Sequence, residues 1–361
     1  MSLLNEQLKL SHRLEGLVNA MSDDIEEILS GALDEVKRRI LELAAKAEQT
    51  ESVIRRKTYL EKLRSEIERV QREIWADIGK KIQDEAVELA EAAPAIAEAV
   101  LEKGAGIKIS LGVPRLDKKE IVAWFESSQV DGLFFNEWLS KLEQNSVDRI
   151  IREARRSMVL REPYSEAGKR IEQALEVSRR SARGLARNAV FQAYNWGEHE
   201  FYMEIEERLQ GLRFVAELDR GTCALCAELD GQVFPPEEAP VPPLHWLCRC
   251  RLAPVFNWED PDNPYGERPA RMETEPRTIH HRDGTTSTAY SEYDAELVPA
   301  KMTYSGWMQS MIESEDAEDV AFAREALGPK RFDLVESGKL KMESLYYGGK
   351  LRTIEELEEL I

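Results

Sequence analysis

Cysteine is scarce in this chain: four residues in 361, all between positions 223 and 250. A disulfide framework spread over the whole molecule is thereby excluded. No run of 18 or more apolar residues exists, so no segment reads as a transmembrane helix. The opening residues MSLLNEQLKLSHRLEG carry neither a basic n-region nor a small-residue cleavage site. No secretory leader is therefore expected, and a cytosolic product is the default. Positive charge is in deficit: 49 Lys and Arg against 68 Asp and Glu, a net charge of -19. That argues against a protein basic all over, because nucleic-acid affinity comes largely from neutralising phosphates. The phosphate loop G-x-x-x-x-G-K-[ST], G-x-G-x-x-G, H-E-x-x-H and G-x-S-x-G are all missing. Without a catalytic constellation, the chain is not expected to be an enzyme. At 42% hydrophobic it still has enough apolar surface for a real core.

What is abundant is helical periodicity. Leu10, Leu14, Leu17 and Met21 fall four, three and four apart, and Ile25, Leu29, Val36, Ile40 and Leu43 form a second stripe. Leu60, Leu63, Ile67, Val70 and Ile74 keep the 3-4-3-4 spacing of a coiled coil. Ser22 with Asp23 reads as an N-cap break, and Pro94 with Gly104 to Gly106 closes this section. So narrow a stripe must pack on something: another helix of the chain, a second copy, or a partner. Residues 107–116 read as a short strand. Asp117 then caps a helix bearing Ile121, Val122, Trp124 and Phe125. Leu133, Phe134, Phe135, Trp138 and Leu142 give another amphipathic helix with core aromatics.

Charge changes sign between residues 149 and 187, with eleven basic and five acidic side chains. Arg152, Arg155 and Arg156, and again Arg179, Arg183 and Arg187 with Arg180 beside them, recur at helical spacing. Each group presents a basic face suited to DNA or to an acidic partner, or merely to solvent. A helix runs on toward Gly211, and residues 214–218 read as a strand. Residues 257–300 have loop composition, including the pair His280 and His281. Helices return at 304–313 and 315–327, the latter stopped by Leu327-Gly328-Pro329, and Thr353 caps a last acidic helix.

The cysteines carry the sharpest signal. Cys223 and Cys226 form a C-x-x-C, and nineteen residues later come His245, Cys248 and Cys250. Such a knuckle aims two sulfurs at one point, and a second knuckle completes the tetrahedron of a structural zinc site. Five donors compete for four places. Either the four cysteines bind, or His245 replaces Cys248 or Cys250. Two disulfides or free thiols are the competing states. Between the last two cysteines Arg249 projects oppositely, toward Asp219 or Asp230.

The fold expected is mainly α: a long N-terminal helical, coiled-coil-like region, a small α+β zinc-stapled module and a loop-rich C-terminal tail. The divisions fall at 1–110, 111–185, 186–256 and 257–361.

Three segments resemble the phage Mu F-like minor head (head morphogenesis) proteins of tailed phages: ARNAVFQAYNWG at 186–197, DRGTCALCAELDG at 219–231 and PPLHWLCRCRLAPV at 242–255. Where that family usually has Arg-Thr-Glu in the helix, Arg187 is followed here by Asn188 and Ala189. The resemblance implies a virion component, present in few copies inside the head near the portal vertex and in host cytoplasm during assembly. It implies association with the portal protein, with major capsid or scaffold protein as further candidates, and roles in head morphogenesis, DNA packaging and ejection. The basic run adds a weak, sequence-independent DNA contact, and the N-terminal helices offer an oligomer interface. Two rival readings are a zinc-supported nuclease drawing on His280 or His281, which would cleave DNA with added divalent metal, and a zinc-stabilised DNA-binding regulator.

Overall fold

The N-terminal periodicity becomes helices of great length. The computed structural model describes residues 3–48, 53–106, 116–160, 164–219, 221–257, 266–270, 276–280, 286–290 and 296–361. Helices α1 (Leu3–Glu48) and α2 (Val53–Ala105) have 46 and 53 residues, about 70 and 80 Å at 1.5 Å per residue. They run antiparallel: Lys103 pairs with Glu6 at 2.7 Å and Lys81 with Asp24 at 2.8 Å. After the short α3 (Lys118–Ser127) come α4 (Phe135–Leu160) and α5 (Tyr164–Glu204). Both pack on α2, and α5 also packs on α1, which completes a four-helix bundle.

The coiled-coil seam is filled from within the chain. Leu63, Ile67, Val70 and Ile74 are buried in one cluster with Leu14, Val18 and Ile25 of α1 and with Ile150 and Ile171 of α4 and α5. Each such side chain contributes about 1.5–3 kcal/mol on burial. The side chain of Leu60, and those of Val36, Ile40 and Leu43, lie outside the described residues. A polar layer crosses the bundle. Ser146 Oγ donates to Gln71 Oε1 at 2.7 Å and lies 2.8 Å from Ser178 Oγ. A slip along any of the three helices would bury these groups unpaired, so the layer favours one register.

Local signals and tertiary packing disagree at three places. Ser22 makes no break; its hydroxyl donates to the Val18 carbonyl one turn back at 2.6 Å. The burial of Val18, Met21 and Ile25 carries the helix through. Pro94 does not end α2 either, which continues to Ala105. Its missing N–H frees the Ala90 carbonyl, and Gly197 of α5 lies against that carbonyl. A Cβ added at Gly197 would stand 2.7 Å from Ala90 O and 2.7 Å from the Ala93 Cβ. Gly197→Val should therefore lower stability by about 1–3 kcal/mol through overpacking. Unchanged urea unfolding would show that the two helices separate freely. Thirdly, the aromatic stretch at 133–142 is not helical from its start. Residues 129–134 make a hairpin of β1 (Gln129–Val130) and β2 (Leu133–Phe134), turned at Asp131 and Gly132 with φ of 54° and 73°. The strand expected at 107–116 lies, but for Leu116, outside the described residues.

The middle of the chain holds a three-stranded antiparallel sheet, with β3 (Leu209–Val215) between β4 (Val233–Phe234) and β5 (Arg251–Phe256). The expected strand thus starts five residues early, and α5 stops at Glu204. Gly211 lies within β3; a Cβ there would come 2.5 Å from the Phe234 carbonyl. Short α6 (Ala224–Leu229) lies between β3 and β4.

The described parts of residues 257–300 are less loop-like than their composition. Strand β6 (Glu267–Ala270) pairs with β9 (Glu296–Pro299), and β7 (Pro276–His280) with β8 (Thr286–Tyr290). Strands this short, with no alternating apolar pattern, leave no signal in a loop-like composition. The chain then folds into α7 (Tyr304–Ile312), α8 (Ala317–Leu327), α9 (Pro329–Glu336), the hairpin β10 (Tyr346–Tyr347) and β11 (Lys350–Leu351), and α10 (Ile354–Glu358). Trp307, Phe322, Phe332, Leu345 and Leu357 share its core. Asp117, Thr303, Asp316 and Thr353 are N-caps, the last with a full capping box, and Gly328 turns at φ 78° before Pro329. Among the described residues no helix is long and apolar enough to cross a membrane.

Candidate metal centre

The two cysteine clusters fold as two tight turns facing each other. In the first, Cys223 is the N-cap of α6, and its Sγ accepts the Cys226 N–H at 3.5 Å. In the second, the Cys248 N–H donates to the His245 carbonyl at 3.1 Å. Leu247 turns the chain there at φ 60°, a conformation costly for a branched side chain. The cost is met by α5. Asn188 Oδ1 accepts the Leu247 N–H at 2.8 Å, and Arg187 Nη1 donates to the Cys248 carbonyl at 3.1 Å. Further along α5, Asn195 donates to the Pro242 carbonyl at 3.0 Å and His199 to the Pro236 carbonyl at 2.8 Å. Trp246 lies on Gly184, where a Cβ would come 2.8 Å from its ring, and against Trp138 at 4.4 Å between centroids.

The donors converge. His245 Nε2 lies 3.2 Å from Cys223 Sγ and 3.2 Å from Cys226 Sγ, and Cys226 Sγ lies 3.8 Å from Cys248 Sγ. Cys223, Cys226 and His245 form one triad, and Cys226, Cys248 and Cys250 a second, each with all donor atoms within 4.8 Å. All four cysteines are unbridged. A tetrahedron with bonds near 2.3 Å has edges of about 3.8 Å, so the donor set fits a thiophilic metal. The Nδ1 of His245 lies 3.0 Å from the Trp246 carbonyl, which only accepts; that nitrogen therefore carries the proton and Nε2 faces the sulfurs. Packed thiols share protons unevenly. Cys226 at its side pulls Cys223 down to about 4, whereas Cys226 itself rises through the same contact. Beside the Cys223 and Cys248 sulfurs His245 climbs to about 11.

Ion pairs lock the two turns to their surroundings. Arg249 forks onto both oxygens of Asp219, the first of its two expected partners; Gly221 leaves room, since a Cβ there would meet the guanidinium. Asp230, the other candidate, is fully buried and serves elsewhere. It accepts from Ala216 N at 2.8 Å, Tyr304 N at 2.6 Å and Arg268 Nη1 at 3.0 Å, tying the sheet to α7. Glu228 of α6 accepts from Gly348 N and Gly349 N, so the β10–β11 turn caps the first cysteine turn.

A second buried polar group lies where α1, α5 and β5 meet. The Tyr194 hydroxyl donates to Glu198 Oε1 at 3.0 Å, Tyr202 also bonds that carboxyl, and Gln7 Nε2 donates to the Leu252 carbonyl at 3.1 Å. Burial raises the Glu198 carboxyl from 4.5 to about 7, against the pull of Arg251 and the tyrosines. A folded pKa above the unfolded one means stability that is full below about 4.5 and lost as pH rises through 7. The loss is on the order of 3 kcal/mol. Glu198→Gln should flatten this fall when urea midpoints at pH 5 and pH 8 are compared; an equal fall in the variant would contradict it.

The basic run divides in two. Arg179 pairs with Glu26 at 3.2 Å, Arg183 donates to Asn19, and Arg187 pairs with Glu15 at 2.6 Å. These three, spaced four apart, hold α5 to α1. Arg152, Arg155, Arg156 and Arg180 remain exposed. Arg149, not singled out from the sequence, lies near Arg152 and Arg180; burial and then their repulsion lower its pKa. The backbone of His280 ends β7 and its side chain is outside the described residues, as is all of His281. The roles of Asn188, Asn195 and His199 were hidden, because a polar residue on a buried helix face says nothing of the distant carbonyl it holds.

Residues 148–253 match the family model described as phage Mu protein F like protein. The match starts in α4, takes in all of α5 and both cysteine turns, and ends in β5. No curated protein and no solved structure matches the chain.

Proposed function

We propose that this chain, which carries a phage Mu protein F-like segment over residues 148–253, is a structural minor head protein of a tailed phage. It binds near the portal inside the capsid, acts in head morphogenesis and in DNA packaging and delivery, and is not an enzyme. The observation that carries this reading is the family match, which falls on the helix-clamped Cys/His module and not on the helices alone. The module holds one structural zinc through donors drawn from Cys223, Cys226, His245, Cys248 and Cys250. Zinc, when bound, cross-links two turns that have too little apolar burial to hold themselves. The clamp from Arg187, Asn188, Asn195 and His199 then fixes that module on the bundle.

The portal is the expected partner, with capsid or scaffold protein as others. The exposed arginines Arg152, Arg155, Arg156 and Arg180 favour an acidic protein surface. Contact with DNA is weak and non-specific, since the remaining charge repels a duplex, and each phosphate contact gives a salt slope near -0.9. Replacing Arg152, Arg155 and Arg156 together with Glu should cut incorporation into heads while unfolding changes by less than about 1 kcal/mol. Counting copies per head by quantitative mass spectrometry checks this. Heads with normal copy number and normal DNA release would leave these arginines a solvated face only.

A further inference from the structure

We infer that the four protein ligands of the metal are Cys223, Cys226, His245 and Cys248, with Cys250 a buried thiol outside the coordination shell. The inference rests on the zinc reading above and decides between the five donors. Its first support is the likeness of the two turns. Cys223 and Cys226 stand at the ends of a four-residue turn closed on the Cys223 sulfur. His245 and Cys248 stand at the ends of another, closed by the Cys248 N–H on the His245 carbonyl. Each turn thus offers two donors at x-x spacing, and four places are filled.

The second support is the imidazole. Its Nδ1 is engaged by the Trp246 carbonyl, and its Nε2 lies 3.2 Å from two sulfurs, so the ring is oriented as a metal-bound histidine is. The spacing of 3.8 Å between Cys226 and Cys248 is a tetrahedral edge. Cys250 stands differently. Like Cys248 it lies with Cys226 in the second triad, outside that of Cys223 and His245, so its difference is one of backbone. It directly precedes β5, whose first residue Arg251 is paired with Val215, so its backbone is held by the sheet and not by the turn.

X-ray absorption on the full-length chain carrying Zn(II) should show three sulfurs near 2.3 Å and one nitrogen near 2.0–2.1 Å. Cys250→Ser and Cys250→Ala should each keep one metal per chain, with affinity reduced by no more than about a hundredfold. Cys248→Ser and His245→Ala should each lose the metal on dialysis at which the wild type retains it. Four sulfurs in the wild-type spectrum, or metal lost from both Cys250 variants and kept by His245→Ala, would overturn the assignment while leaving zinc in place. A wild-type chain without metal would overturn the zinc reading itself.

Discussion

Cys226→Ser should empty the metal centre and loosen residues 219–255, while the helical bundle stays folded. Cys226 is the donor common to both triads and has 1% of its surface exposed. Between the two turns lie Pro235, Pro236, Pro240, Pro242 and Pro243, a segment with few large apolar side chains. In small zinc modules the metal supplies apparent binding energies of about 10–16 kcal/mol, and that energy is folding energy. Loss of one thiolate therefore removes the main local restraint. The bundle has its own buried cluster, reaching from Leu10 to Tyr194, and does not depend on the metal. Elemental analysis should fall from one metal per chain toward none, and limited proteolysis should cut first between 219 and 255, with little loss of helical dichroism. A full metal complement with unchanged protease resistance would contradict the structural role given to this cluster.

Asp230→Ala should cost about 3–5 kcal/mol, the usual penalty for removing one partner of a buried ion pair. The side chain of Asp230 is 0% exposed and that of Arg268 5%. Removing the carboxylate leaves the Arg268 charge buried and takes the acceptor from two backbone N–H groups, Ala216 and Tyr304. Those two groups belong to different parts of the chain, so the damage should separate α7–α10 from the sheet. Hydrogen exchange should show that segment opening at lower free energy than the bundle. Replacing Asp230 and Arg268 together with Leu and Met should recover part of the loss, because an apolar pair avoids the desolvation penalty. A shift below 1 kcal/mol for the single variant would show that water reaches this pair.

The two sets of residues were unequally legible in the sequence. Heptad leucines and isoleucines announced α1 and α2, because a 3.5-residue period survives any tertiary arrangement. The seam's partner did not follow from that period, and only packing shows it to be α1, α4 and α5. Cysteine spacing located the metal centre, since knuckle geometry is local. The clamp on it was invisible: Asn188 and Leu247 meet across 59 residues. The contacts of Arg179, Arg183 and Arg187 with α1 were not legible either, because helical spacing reports a face and not what lies against it. Ser22 and Pro94 misled for the reverse reason. Their local preferences are worth about 1–3 kcal/mol, less than the apolar burial along the same turns.

Mass spectrometry of purified phage heads tests the assignment of function most directly. The chain should be found inside particles in few copies, cross-linked through the surface around Arg152, Arg155 and Arg156 to portal protein. Particles that lack the chain at every stage from procapsid to mature head would contradict it.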